Sequence, residues 1–171
     1  MVVMADKSVP TSDHIRDIIS FVEASPTSYH AVAELTRRLE QAGFQRLEET
    51  ESWPSVEGRR YVVRDGAVIA WITPEKVTPQ LGARIVGSHT DSPSFKLKPN
   101  ATVTNQGWQQ VGMEVYGGGL LNSWLDRDLG LSGRLVTCDG QAHLVRTGPI
   151  LRISQLAPHL DRTVNDDLKL D

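Results

Sequence analysis

Ile15, Ile18, Ile19 and Val22 recur at i, i+3, i+4 and i+7, the spacing that lines one side of an α-helix. Thr11, Ser12 and Asp13 precede them as capping side chains, so the pattern predicts a first amphipathic helix ending near Ala24. The run Ser25-Pro26-Thr27-Ser28 then breaks the chain. Val32, Leu35 and Leu39 resume helical spacing until Gly43, a residue suited to the position just past a helix end. A second helix over 28–42 follows from this.

Beyond Gly43 the period changes from helical to strand-like. Residues 44–47 read as a short strand. Residues 59–64 and 67–73 read as two strands joined through Asp65-Gly66, a dipeptide favoured in two-residue hairpin turns. A polar loop over 74–82 contains two prolines, and the apolar stretch 83–87 reads as a further strand. Past Pro99 the texture shifts to short strand-like pieces with many glycines and no helical pattern. Residues 111–116, 133–138, 142–146 and 149–153 are the expected strands, with Asp139-Gly140 as another hairpin turn. The pattern places a boundary near residues 96–100, giving an α/β part over 1–97 and a largely β part over 98–171.

Composition removes some classes of function. The 171 residues suit one domain, or one and part of another. With 23% charged residues and a net charge of -3, the chain offers no basic face for nucleic acid and no polybasic membrane anchor. Its lone cysteine, Cys138, cannot form an internal disulfide. No apolar run approaches the roughly 20 residues of a membrane span. A cytoplasmic location is the expectation.

The candidate chemistry lies in residues 84–99, R-I-V-G-S-H-T-D-S-P-S-F-K-L-K-P. His89 and Asp91 are two residues apart, so on an extended backbone both side chains leave the same face. An imidazole can ligate a metal while a neighbouring carboxylate sets its tautomer and raises its basicity. The apolar stretch ahead of the pair and the Ser92-Pro93 step behind it put the pair at the C-terminal end of a strand, where sites of open α/β sheets gather. By itself the H-x-D spacing also fits a solvated histidine at a strand end.

Three segments in order resemble the aspartyl-aminopeptidase-like zinc metallopeptidases: G-S-H-T-D-S-P-S-F-K-L-K-P, Y-G-G-G-L-L-N-S-W-L-D-R-D-L-G-L-S-G-R-L and P-I-L-R-I-S-Q-L-A-P-H-L-D-R. The helical entry S-P-T-S-Y-H-A is similar too. The resemblance implies an α/β fold, namely the N-terminal part of a zinc-peptidase α/β/α catalytic domain followed by part of a mostly β dimerisation domain. It also implies an aminopeptidase that removes N-terminal residues from peptide substrates with two zinc ions, in a homo-oligomer around an enclosed space. By position, His89 matches the first zinc ligand and Asp91 the aspartate that orients it. His159 matches a histidine that reaches a neighbouring subunit's active site and helps stabilise the substrate carbonyl.

The same resemblance assigns the bridging aspartate, the general-base glutamate and the other ligands to a region C-terminal to the β domain. The sequence ends at Asp171, inside that domain by the match. The expectation is therefore an N-terminal portion that binds zinc weakly, does not hydrolyse peptides, and exposes strand edges prone to association. An alternative is a non-catalytic assembly module that docks on full-length subunits. A further alternative is a different metallohydrolase in which Asp126, Asp128, His143 and His159 complete a site with His89. The spacing of Asp126 and Asp128 could place two carboxylates on one strand face as an oxygen-ligand cluster, but the resemblance puts their segment in the dimerisation domain, with the flanking Asn122, Arg127 and Gly117-Gly118-Gly119 explained by turns and ion pairs; Lys96 and Lys98 read as a solvated strand face.

Overall fold

The computed structural model describes residues 12–53, 57–76, 78 and 82–166. Thr11, part of the 74–82 loop and the C-terminal residues 167–171 lie outside them. The chain divides into two units, Met1–Asp91 and Ser92–Asp171.

The first unit opens with α1 (Asp13–Ala24), capped by Ser12, whose side chain accepts a hydrogen bond from the Ile15 N–H at 3.3 Å. Thr27 caps α2 (Ser28–Gln41) in the same way, through the His30 N–H. Gly43, with φ 81°, turns the chain out of the helix. A two-residue strand β1 (Gln45–Arg46) then pairs in parallel with β2 (Gly58–Arg64), and β2 forms an antiparallel hairpin with β3 (Ala67–Thr73). The helices and this hairpin stand where the hydrophobic periods put them.

The core of this unit centres on β2, where adjacent Tyr61 and Val62 are buried on opposite faces of the strand. Tyr61 is 1% exposed, and its hydroxyl donates to Glu40 of α2 at 2.6 Å. Burial and that bond to a carboxylate push its pKa up to about 12. Ala31 and Val32 of α2 are buried as well. The helices are joined by charge: Arg38 makes two bonds to the Asp17 carboxylate, at 2.8 and 2.9 Å, and lies over the Phe21 ring at 5.3 Å. Glu34 accepts from Arg37 and Arg38 together, which holds its carboxyl near pKa 2 against an ordinary 4.5.

One strand expected from the pattern does not form. Residues 82–89 have no regular structure, and Ile85 and Val86 are 89% and 99% exposed. A strand exists only as part of a ladder, and no segment among the described residues pairs with this one. The apolar composition of 83–87 was legible, but the partner it requires is not among them.

The second unit begins with β4 (Ser94–Asn105), which pairs with β5 (Trp108–Tyr116) through a turn at Gln106-Gly107, with φ of 49° and 81°. The register shifts between Leu97 and Thr102, around Pro99, which has no N–H to give a ladder. A 3-10 turn (Leu121–Trp124) follows, and Trp124 meets Phe95 edge to face at 5.3 Å. β6 (Ser132–Val136) and β7 (Ala142–Arg146) form a second hairpin, whose turn is held by the Asp139 carboxylate accepting from the Gln141 N–H. Over 149–153 the expected strand reduces to single bridges, Leu151 to Leu129 and Ile153 to Leu125, because their partner segment bends at Asp126, with φ 50°. Leu125 is the buried apolar residue of this unit among the described residues.

The charge network between the helices gives a pH test. Glu34 binds a proton less readily folded than unfolded, so its contribution is complete above about pH 4.5 and fades as the pH falls toward 2. We expect Glu34→Gln to lower stability by roughly 1 kcal/mol at pH 7, and denaturant melts should show the gap between variant and parent closing below pH 4.

Candidate functional site

The H-T-D triplet is positioned by a turn rather than by a strand. Gly66, at the tip of the β2–β3 hairpin, is seated against the start of α2: a Cβ there would fall 2.6 Å from Ser28 Oγ and 3.0 Å from Ser28 Cβ. The Gly66 carbonyl accepts a 2.6 Å hydrogen bond from the Thr90 hydroxyl. Thr90 lies between His89 and Asp91, so the pair is fastened to the hairpin tip, and through it to the N-terminus of α2. Sequence reasoning passed over Thr90. Its position inside the triplet was the available signal.

His89 Nδ1 lies 2.6 Å from the main-chain carbonyl oxygen of Asp91 and 3.4 Å from its carboxylate Oδ1. A carbonyl oxygen only accepts, so Nδ1 carries the proton in the neutral ring and the Nε2 lone pair is left free. The His89 side chain is 78% exposed. An imidazole with its tautomer fixed from behind and its second nitrogen facing outward has the chemistry of a metal ligand.

The described residues contain no group of three or more His, Cys, Asp or Glu side chains that could hold a metal ion. They fit one corner of a zinc site, not a complete one, since catalytic zinc takes three protein ligands. Asp128 is bound to Arg152 at 2.6 Å, and Asp126 accepts from the Gln155 N–H at 3.2 Å, so both carboxylates hold the 149–155 segment in place. His143 lies in β7, opposite Leu135. His159 sits exposed in a turn of the second unit, closed by Leu160 and Asp161 N–H bonds to the Ala157 carbonyl. Lys96 caps the Tyr116 ring at 4.9 Å on the β4–β5 hairpin. A pocket of about 320 Å³ beside Trp124 is lined by Ser123, Arg127, Asp128 and Leu129, with Arg127 donating to the Ser123 carbonyl.

The first unit thus ends in a histidine with one ring nitrogen free, and the second is built of β-hairpins. The family model described as aminopeptidase I zinc metalloprotease (M18) matches residues 21–171. The "Probable M18 family aminopeptidase 2" of Streptomyces avermitilis is 54% identical over 160 residues, and its counterpart in Streptomyces coelicolor is 51% identical. Each match takes in 92% of this chain and 37% of the relative. Among solved structures, the S. cerevisiae mApe1 dodecamer superposes with a TM-score of 0.77 at 32% identity, over 86% of this chain and 36% of that one. An M18 aminopeptidase from Thermotoga maritima superposes at 0.73 with 27% identity, over 90% of this chain and 34% of that one. The chain belongs to the M18 family of peptidases. It spans little more than a third of the length of the curated relatives it matches.

The Thr90 bond carries its own test. Thr90→Val leaves the Gly66 carbonyl without its donor and is expected to cost about 1 kcal/mol, while Thr90→Ser retains the bond. Denaturant midpoints of the two variants would separate by that amount.

Proposed function

We propose that this chain carries one corner of the active site of a zinc-dependent aminopeptidase, with His89 as a zinc ligand and Asp91 as the residue that orients it. The supporting observation is the Nδ1 bond of His89, which leaves Nε2 free within the family-matched H-T-D segment. The substrates are peptides with a free N-terminus, and the complete site holds two zinc ions. His159 of the β-rich unit acts across a subunit boundary on the substrate carbonyl, which requires a homo-oligomer; the dodecamer named for the yeast relative supports such an assembly. The 171 residues, which span little more than a third of their curated relatives, are expected to be inactive by themselves.

Zinc titration of the purified chain against a chromogenic chelator tests this. We expect weak uptake at one site per chain, lost in His89→Ala. Asp91→Ala should weaken it by roughly tenfold, the low end for loss of a ligand's partner, because the main-chain carbonyl still fixes the tautomer. Aminoacyl p-nitroanilides should not be turned over, and chelator-sensitive turnover by the chain alone would refute the inactivity. Uptake unaffected by His89→Ala would refute the ligand role.

A further inference from the structure

Among the described residues, Asp65, Gln106 and Asp126 are the non-glycine residues with positive φ. Asp65 and Gln106 lie in the turns of the β2–β3 and β4–β5 hairpins, where such values close the loop. Asp126, with φ 50°, closes no hairpin: it stands between the bridged residues Leu125 and Leu129. A left-handed backbone is unfavourable for an L-residue and persists only where surrounding contacts over-determine it.

Those contacts all run to one segment. The Asp126 N–H donates to the Ile153 carbonyl at 2.8 Å, and its carboxylate Oδ1 accepts from the Gln155 N–H at 3.2 Å. The bend therefore lets one residue grip 153–155 with main chain and side chain at once. A single bond would leave the segment free to pivot, whereas two bonds spaced two residues apart fix its direction. Asp128 has a lesser part, because its bond to Arg152 is an exposed ion pair further from the end of the segment.

The grip stops two residues short of the turn that carries His159. There the Ala157 carbonyl accepts from the Leu160 and Asp161 N–H groups at 2.8 and 3.0 Å. Pro158 has a fixed φ and restricts the backbone of Ala157 before it. Beyond the turn, the Asp161 carboxylate accepts from the Thr163 N–H and hydroxyl at 3.0 and 2.9 Å. An exposed imidazole thus stands on a short turn that is tied on both flanks. A solvated loop needs no such fixing. A side chain that must meet a substrate bound elsewhere does, since a misplacement of about 1 Å can cost roughly a hundredfold in rate.

We propose that Asp126 is a positioning residue for His159: its two-point grip on 153–155 sets the direction in which the 157–161 turn presents the imidazole. The proposal rests on the reading of His159 as a group that acts on the substrate carbonyl across a subunit boundary.

Two substitutions divide the grip. Asp126→Gly keeps the left-handed backbone and removes the carboxylate, while Asp126→Asn keeps an acceptor oxygen and tolerates the same backbone. Amide relaxation of the 171-residue chain reads the turn directly. Order parameters at 159–161 should be about 0.85 in the parent and in Asp126→Asn, and below about 0.6 in Asp126→Gly, with β6 and β7 unchanged in all three. The second measurement is kinetic, in a full-length M18 chain in which these 171 residues replace the matched region of the S. avermitilis relative. Asp126→Gly should lower kcat by about a hundredfold and leave KM within about twofold, and Asp126→Asn should restore kcat. Added to His159→Ala, Asp126→Gly should lower kcat no further, because a residue that acts through another is silent once that other is gone. Unchanged order at 159–161 in Asp126→Gly would overturn the proposal whatever the kinetics, and so would full additivity of the two substitutions. Parent-like kcat in His159→Ala would instead remove the reading on which the proposal rests, with the order parameters still reporting on the grip itself.

Discussion

The placement of the candidate site depends on one close approach, that of the Asp65-Gly66 turn to Ser28 and Thr90. With no Cβ, Gly66 lets the hairpin tip settle on the first residue of α2, and its carbonyl then takes the Thr90 hydroxyl. Three pieces of chain distant in sequence meet at a residue whose contribution is the absence of a side chain. Any side chain at position 66 would push Ser28 away or lift the tip, and the H-T-D triplet would lose its anchor.

Around that point the first unit relies on directed polar contacts more than on a large core. Tyr61 supplies the deepest apolar burial and also a hydroxyl that reaches Glu40, so one residue fixes both the distance and the rotation of α2 over the sheet. Arg38 does comparable work between the helices, reaching Asp17, Glu34 and the Phe21 ring at once. Such pairs contribute modestly one at a time near the surface, and more when they share a guanidinium. The second unit is built instead from hairpins, with Asp139 holding the β6–β7 turn, Asp126 and the Asp128–Arg152 pair holding the 149–155 segment, and little buried among its described residues.

Local signals in the sequence were sufficient for the elements that stand on local physics. The Ile15 to Val22 stripe, the Ser12 and Thr27 caps and the Asp65-Gly66 turn each depend on residues within a few positions of one another, and the helices and the β2–β3 hairpin follow them. The stretch 83–87 depends on a distant partner, and its composition conveyed apolarity without conveying pairing. Residues 149–153 illustrate the same limit, since their ladder is interrupted by the positive φ of Asp126, on the opposite segment. At the site, spacing made the His89 and Asp91 pair visible. The main-chain carbonyl that receives the Nδ1 proton, and the Thr90 anchor, are matters of backbone geometry that residue types do not encode.

The shift of register around Pro99 has a consequence for how this chain meets its neighbours. β4 is the longest strand described, and among the described residues β5 is its one partner in the sheet. Regular pairing covers residues 94–97 and 102–105, with an irregular stretch and an imino acid between them. An incoming strand would therefore find two short templates out of phase with each other, instead of one continuous ladder.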